Sequence, residues 1–413
     1  MNISHLILSN KLVQNTIASI FFRLSVLIMG LIFARNLGTD FYGEFVLVRS
    51  TVQIFETALG ISLGIAVSKV FLINRENFRD VINSSLFFIV IIASLVSFLF
   101  IFVFDISNFT GGNIIIIVFY GFLTIFFQFL LNFLKGIAEF KLVFIVSFVY
   151  LVSSIFVSYY LTLSISGANG ALISYIVILL ISFATMLTFG FKWFLKFDFD
   201  FRFNLVDTVK FYKTDALPVM LSAMLSPLVL WLVNVLVASG QNGTHNLSLF
   251  NVSYLLYGLM TFFPVVLAEV FFKKIAEELN SNSNVMVFIY KYAIRLLIAN
   301  VPLALFFYYF SDDIVLLYGE EFSGSVQSFR LFIFCSFLTC TLPLLGKLFI
   351  LGGMSFFNFI SNFIWGTFVL IFIYLGKHYL SFDIPLLCAI SFFVSYFIIL
   401  VMQWSIAYKR FAR

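Results

Sequence analysis

The stretch ASIFFRLSVLIMG, residues 18–30, decides the fold. It is apolar enough for lipid, yet Arg23 stands in its middle. The rest of the chain repeats the first property. Hydrophobic residues make up 62% of 413, charged residues 10%, and the mean hydropathy is +1.11. A soluble domain averages about 45–50% apolar and about 25% charged. The composition therefore predicts an all-α polytopic membrane protein. The 60 Phe residues suit lipid contact and helix packing.

Runs of about 20 apolar residues fit the hydrocarbon core. Twelve are predicted, at 13–34, 45–69, 81–104, 114–134, 142–163, 171–191, 216–238, 248–271, 287–310, 325–350, 355–376 and 384–408. The opening MNISHLILSNKLVQN lacks the short apolar core and small-residue cleavage site of a signal peptide, so the first run is expected to stay as a helix. Pro218, Pro227, Pro264, Pro302, Pro343 and Pro385 lie in or at the ends of spans, where neighbouring groups can satisfy the freed backbone.

Orientation follows from the cations. With the N-terminus inside, 18 of the 24 Lys and Arg fall on inner connections and inner helix ends. Two, Arg35 and Lys377, fall outside, and four lie within spans. This positive-inside bias predicts a multi-pass membrane protein with both termini cytoplasmic. The net charge of +5 then reports topology, with no nucleic-acid partner implied. The longest connection, 192–215, divides the chain into an N-terminal lobe, 1–191, and a C-terminal lobe, 216–413, each of six helices. Such halves suit a transporter. The other connections are too short for a soluble catalytic domain.

The charges inside the spans carry the functional reading. Arg23 lies about ten residues into its span, about 15 Å deep, where an Arg costs about 2.5–3.5 kcal/mol. Asn15 and Ser19 precede it at i, i+4, i+8 spacing, so one face is polar. In the second span Arg49, Gln53 and Glu56 share a stripe at i, i+4, i+7. Arg295 and Arg330 follow in the ninth and tenth spans, whereas Glu269 reads as an interfacial partner of Lys273. Arg23 and Glu56 could simply neutralise one another, and Arg330 could reach the headgroups. The alternative is a cationic path in which Arg23, Arg49, Gln53 and Arg295 bind an anion and Glu56 tunes the site or carries a coupling proton. Guanidinium stays charged and grips phosphate in bidentate fashion. Gly60 and Gly64 form a GxxxG that favours close helix packing.

Other chemistry is poorly represented. Neither Gly346-Lys347 nor Gly376-Lys377 continues into a phosphate loop. No HExxH occurs, and His5, His245 and His378 lie outside the spans. Cys335, Cys340 and Cys388 form no CxxC and are expected reduced and buried. The DxD of Asp198-Phe199-Asp200 sits in an interfacial linker with no nucleotide fold. No catalytic residue, metal site or cofactor is expected, and the chain does not read as an enzyme.

Residues 34–66, ARNLGTDFYGEFVLVRSTVQIFETALGISLGIA, resemble the N-terminal signature of the polysaccharide transporter family. These are Wzx-type O-antigen and capsule flippases of the multidrug/oligosaccharidyl-lipid/polysaccharide (MOP) exporter superfamily. Residues 318–332, YGEEFSGSVQSFRLF, resemble a second family pattern. The resemblance implies two six-helix lobes around a central cavity with alternating access. It implies as cargo a lipid-linked oligosaccharide, an undecaprenyl-pyrophosphate repeat unit passing to the periplasmic leaflet in lipopolysaccharide or capsule biosynthesis. Membrane lipids, a polysaccharide polymerase and a chain-length regulator would be its partners. Arg23 and Arg49 look like counterparts of arginines used by related precursor flippases. Arg35, Gly38, Tyr42 and Gly43 match the signature as shapers of the first outer turn. The competing readings are a multidrug exporter of the same superfamily, a membrane polymerase, and a passive assembly protein. Cationic drugs would favour a negative or aromatic interior, and a polymerase generally needs a larger outer loop than 311–324.

Overall fold

Gly38 is where the chain first turns back. The computed structural model describes residues 11–73, 83–85, 89, 114–194, 211–280, 285–379 and 382–412. Its first helix, α1 (Lys11–Phe55), is broken at Gly38, with φ 74° and ψ 176°. Phe33 and Phe45 are twelve residues apart, about 18 Å along an unbroken helix. Their rings lie 5.1 Å apart, so the two arms fold against each other. That backbone conformation belongs almost exclusively to glycine. The ten-residue outer connection expected at 35–44 therefore shrinks to a kink at one residue.

The second arm passes into a π-helical turn (Glu56–Ser62) and then α2 (Leu63–Ile73). Three long helices follow: α3 (Ile114–Gly136), α4 (Phe140–Ser164) and α5 (Ala168–Phe194). A second π turn (Tyr212–Ala216) leads into α6 (Leu217–Ala238). Beyond it come α7 (Gly243–Asn280), α8 (Val285–Tyr309) and the short α9 (Ser311–Leu316). A 3-10 turn (Glu320–Ser325) precedes α10 (Val326–Thr339) and α11 (Leu342–Leu351). The chain ends on α12 (Ser355–Tyr379) and α13 (Ile384–Phe411).

Among the described residues the protein is helical, and ten stretches are long and apolar enough to cross a membrane. The first of these, Val13–Ser68, holds two of the predicted spans. The predicted third span, 81–104, and linker residues 195–210 fall mostly or wholly outside the described residues. Pro343 and Pro385 open helices, where the first turn tolerates the missing N–H. Pro227, Pro264 and Pro302 lie within helices. The predicted tenth span, 325–350, is not continuous. It breaks at Cys340-Thr341, because Pro343 has no N–H to give the Thr339 carbonyl and its ring crowds that oxygen; the new helix starts at Leu342 with Pro343 in its first turn.

The chain forms two compact units, Met1–Trp231 and Leu232–Arg413. In the first, α4 packs along α1 and α5, and α3 packs along the π turn and α2. Gly60 and Gly64 make the second packing possible. A Cβ on Gly64 would stand 2.6 Å from the Phe129 carbonyl, and one on Gly60 2.9 Å from Gln128 Cβ. The GxxxG is thus a helix-packing face, as its spacing predicts. The second unit is built around α7, α10, α12 and α13. Phe250, Phe332, Phe392 and Tyr254 fill its core. Small hydroxyls bind its helices: Ser253 to Ser328 at 2.7 Å, Tyr257 to Thr339 at 3.0 Å, and Asn300 to Ser336 at 2.9 Å. Cross-helix hydrogen bonds of this kind help hold membrane bundles together. The three cysteines are free and buried.

Candidate functional site

The Arg49 stripe is the most deeply built polar feature of the first unit. Arg49 Nη1 donates to Glu56 Oε2 at 2.5 Å. The residues are seven apart, about 10 Å along the axis. Glutamate leans toward the helix N-terminus, as helical side chains do, and the longer arginine reaches down to meet it. Side-chain exposure is 22% for Arg49 and 5% for Glu56, so the pair is largely withdrawn from its surroundings. Glu56 opens the π turn. Two hydroxyls serve local carbonyls there: Thr57 donates to Gln53 O and Ser62 to Thr57 O, both at 2.8 Å. Such turns occur often at functional sites.

Aromatic rings wall the pair. The Arg49 guanidinium carbon lies 5.8 Å from the ring centre of Tyr175 on α5, within reach of a cation–π interaction. Tyr120 of α3 meets Tyr175 edge-on at 5.5 Å, and Phe33 and Phe45 pack on the same ring at 5.8 Å. The Tyr120 hydroxyl is buried with no hydrogen-bond partner among the described residues. From α6, Trp231 Nε1 donates to Thr51 Oγ1 at 2.9 Å, pinning the helical turn that follows Arg49. Sequence reasoning missed Tyr120, Tyr175 and Trp231. With 18 Tyr and 60 Phe in the chain, an aromatic in a span carries no signal of its own.

Arg23 stands apart from this pair. It is exposed on the first arm of α1, on a stripe with half-buried Ser19 and exposed Thr16. Ser19 turns its hydroxyl to the Asn15 carbonyl at 2.9 Å, and the Asn15 side-chain oxygen is buried without a hydrogen bond. Its neighbour Phe22 stacks on Tyr150 at 4.6 Å and carries the Lys135 ammonium 5.7 Å from its centre. The expected pairing of Glu56 with Arg23 is thus corrected: Glu56 pairs with Arg49, seven residues up its own stripe.

The other candidates lie in the second unit. Arg295 is exposed on α8, 5.1 Å from the Tyr292 ring, which the Lys274 ammonium also approaches at 5.9 Å. Arg330 donates to Asp312 Oδ2 at 2.6 Å and to Ser311 Oγ at 2.8 Å. It ties α10 to α9 and reads as a structural tie. Glu269 lies on α7, with its side chain outside the described residues. Of the four arginines within spans, Arg49 and Arg330 thus pair with carboxylates. Among the described residues no three His, Cys, Asp or Glu gather as metal ligands.

No family model matches the sequence, and no curated protein does either. Solved structures match closely in shape. A multidrug resistance MATE family transporter of the MOP superfamily, inward-facing, superposes with a TM-score of 0.76 at 14% identity over 92% of this chain and 93% of its own. An outward-facing one gives 0.67 at 14% identity over 98% and 96%. A MOP superfamily transporter from Pyrococcus furiosus, described as having a binding pocket of reversed polarity, gives 0.67 at 15% identity over 97% and 95%. Across nearly its whole length this chain has the fold of the MATE transporters of the MOP superfamily.

Proposed function

We propose that the protein is a flippase for lipid-linked oligosaccharides, moving an undecaprenyl-pyrophosphate repeat unit across the inner membrane by alternating access of two six-helix lobes. Arg23 carries this reading. An exposed guanidinium halfway along an apolar helix does not face hydrocarbon, because the cost is several kcal/mol. It faces a wet surface, and a wet cationic surface at mid-bilayer suits an anionic headgroup. Arg49, Gln53 and Arg295 are its partners in that task. Glu56 holds Arg49 in reserve: a proton taken up by the carboxylate on one side of the membrane releases the guanidinium to the cargo, and loss of that proton on the other side, as the cargo leaves, restores the pair. Asn15 and Ser19, on the same polar face as Arg23, are further contacts for that headgroup. A polymerase and a chain-length regulator would receive the product.

Multidrug export is the second reading, favoured by the two MATE structures described as multidrug resistance transporters. The readings separate on deletion of the gene. A flippase deletion accumulates a lipid-linked glycan in the cytoplasmic leaflet and loses surface polysaccharide. An unchanged glycan with increased sensitivity to cationic drugs identifies an exporter instead.

A further inference from the structure

The break in the predicted tenth span opens a space inside the second unit. α10 stops at Thr339 and α11 starts at Leu342, and the side chains around the break do not close it. A cavity of about 360 Å³ results. Tyr290, Ala293 and Leu297 of α8, Phe337 of α10, and Leu400 and Trp404 of α13 line it. Its wall is almost wholly carbon. The one polar contact is at its end, where Trp404 Nε1 donates to Thr341 Oγ1 at 3.4 Å.

Tyr290 and Trp404 meet edge-on there, 6.5 Å apart. Tyr290 is near the start of α8 and Trp404 near the end of α13. The pair therefore sits at one end of the span, where amphipathic rings mark the membrane interface. Tyr290 is 62% exposed and Ile294, on the same wall, 38%, so the cavity opens sideways. Cations follow both rings in the chain. Exposed Lys291 follows Tyr290, and exposed Lys409 and Arg410 follow Trp404 by little more than a turn.

An apolar slot flanked by cations, Lys291 and Arg295 along α8 and Lys409 and Arg410 at the end of α13, has the pattern of an anionic amphiphile. We propose that it holds one acyl chain of an anionic phospholipid, of phosphatidylglycerol type, with the phosphate at Lys291 and Lys409. Each lysine near the headgroups favours an anionic over a zwitterionic lipid by about fivefold. The second chain stays in the bilayer. This site is separate from Arg23 and Arg49 of the first unit.

Native mass spectrometry of the full-length protein released from nanodiscs of mixed phosphatidylglycerol and phosphatidylethanolamine tests it. The wild type is expected to retain one phosphatidylglycerol. Ala293→Trp, which fills the slot, is expected to lose it. The double substitution Lys291→Ala, Lys409→Ala is expected to keep a lipid while its preference for phosphatidylglycerol falls roughly thirtyfold. Equal retention by the filled variant, unchanged preference in the lysine variant, or selective retention of a polyprenyl phosphate would each overturn the proposal. Should Ala293→Trp fail to fold, phosphatidylglycerol with a photoreactive acyl chain decides the matter on the wild type. Labels are expected on Leu297, Phe337 and Leu400, and labelling confined to residues outside the slot would overturn it.

Discussion

Arg49 and Glu56 are worth more together than either is alone. Removing one partner of a buried pair leaves the other charge uncompensated, at a cost of about 3 kcal/mol or more. Glu56→Gln is therefore expected to lower the thermal stability of the purified protein clearly, and Arg49→Gln with Glu56→Gln to recover most of the loss. A double variant no more stable than Glu56→Gln would mean that the pair is not the source of the effect. The stripe Arg49, Gln53, Glu56 was legible from helical spacing alone. Which arginine Glu56 chooses was not, because Arg23 lies on another arm and its distance depends on how the arms cross. Arg330 was legible as an end-of-span residue. Its partner Asp312 was visible in sequence but sits 18 positions away across a turn, where spacing gives no guide.

At the level of elements, glycines set the geometry. Gly38 has a backbone conformation that side chains avoid, so Gly38→Ala should cost about 1–3 kcal/mol and loosen the contact between Phe33 and Phe45. Gly64→Ala drives a methyl group into the Phe129 carbonyl and should cost about 1–3 kcal/mol as well. Both are measured as shifts in detergent melting temperature. A Gly64→Ala protein as stable as the wild type would show that α2 and α3 separate freely. The GxxxG was readable as a packing motif, and eleven of the twelve predicted hydrophobic runs fall on described helices. The kink at Gly38, the π turn at Glu56 and the break before Pro343 were harder to read. Each is a local change of hydrogen-bond register that leaves hydropathy untouched.

For the whole molecule, hydropathy and cation asymmetry led to a polytopic helical membrane protein, and the fold it shares with solved MOP superfamily transporters agrees with that architecture. The cargo is not written in the fold, because the same architecture serves multidrug transporters and function lives in the site. Topology is open to a direct check, since the three native cysteines are buried. A cysteine at exposed Ser323 should react with an impermeant maleimide in intact cells, and one at Ala412 only after lysis. The reverse pattern would invert the orientation.

Flipping itself can be measured in proteoliposomes, by following a fluorescent polyprenyl-pyrophosphate glycan as it becomes accessible to an impermeant quencher. Wild type should move the lipid. Arg23→Ala should slow it by roughly 10- to 100-fold, the worth of one charged hydrogen bond, with Arg23→Lys in between. Transport by Arg23→Ala at the wild-type rate would contradict the claim that guanidinium groups conduct the headgroup through the membrane.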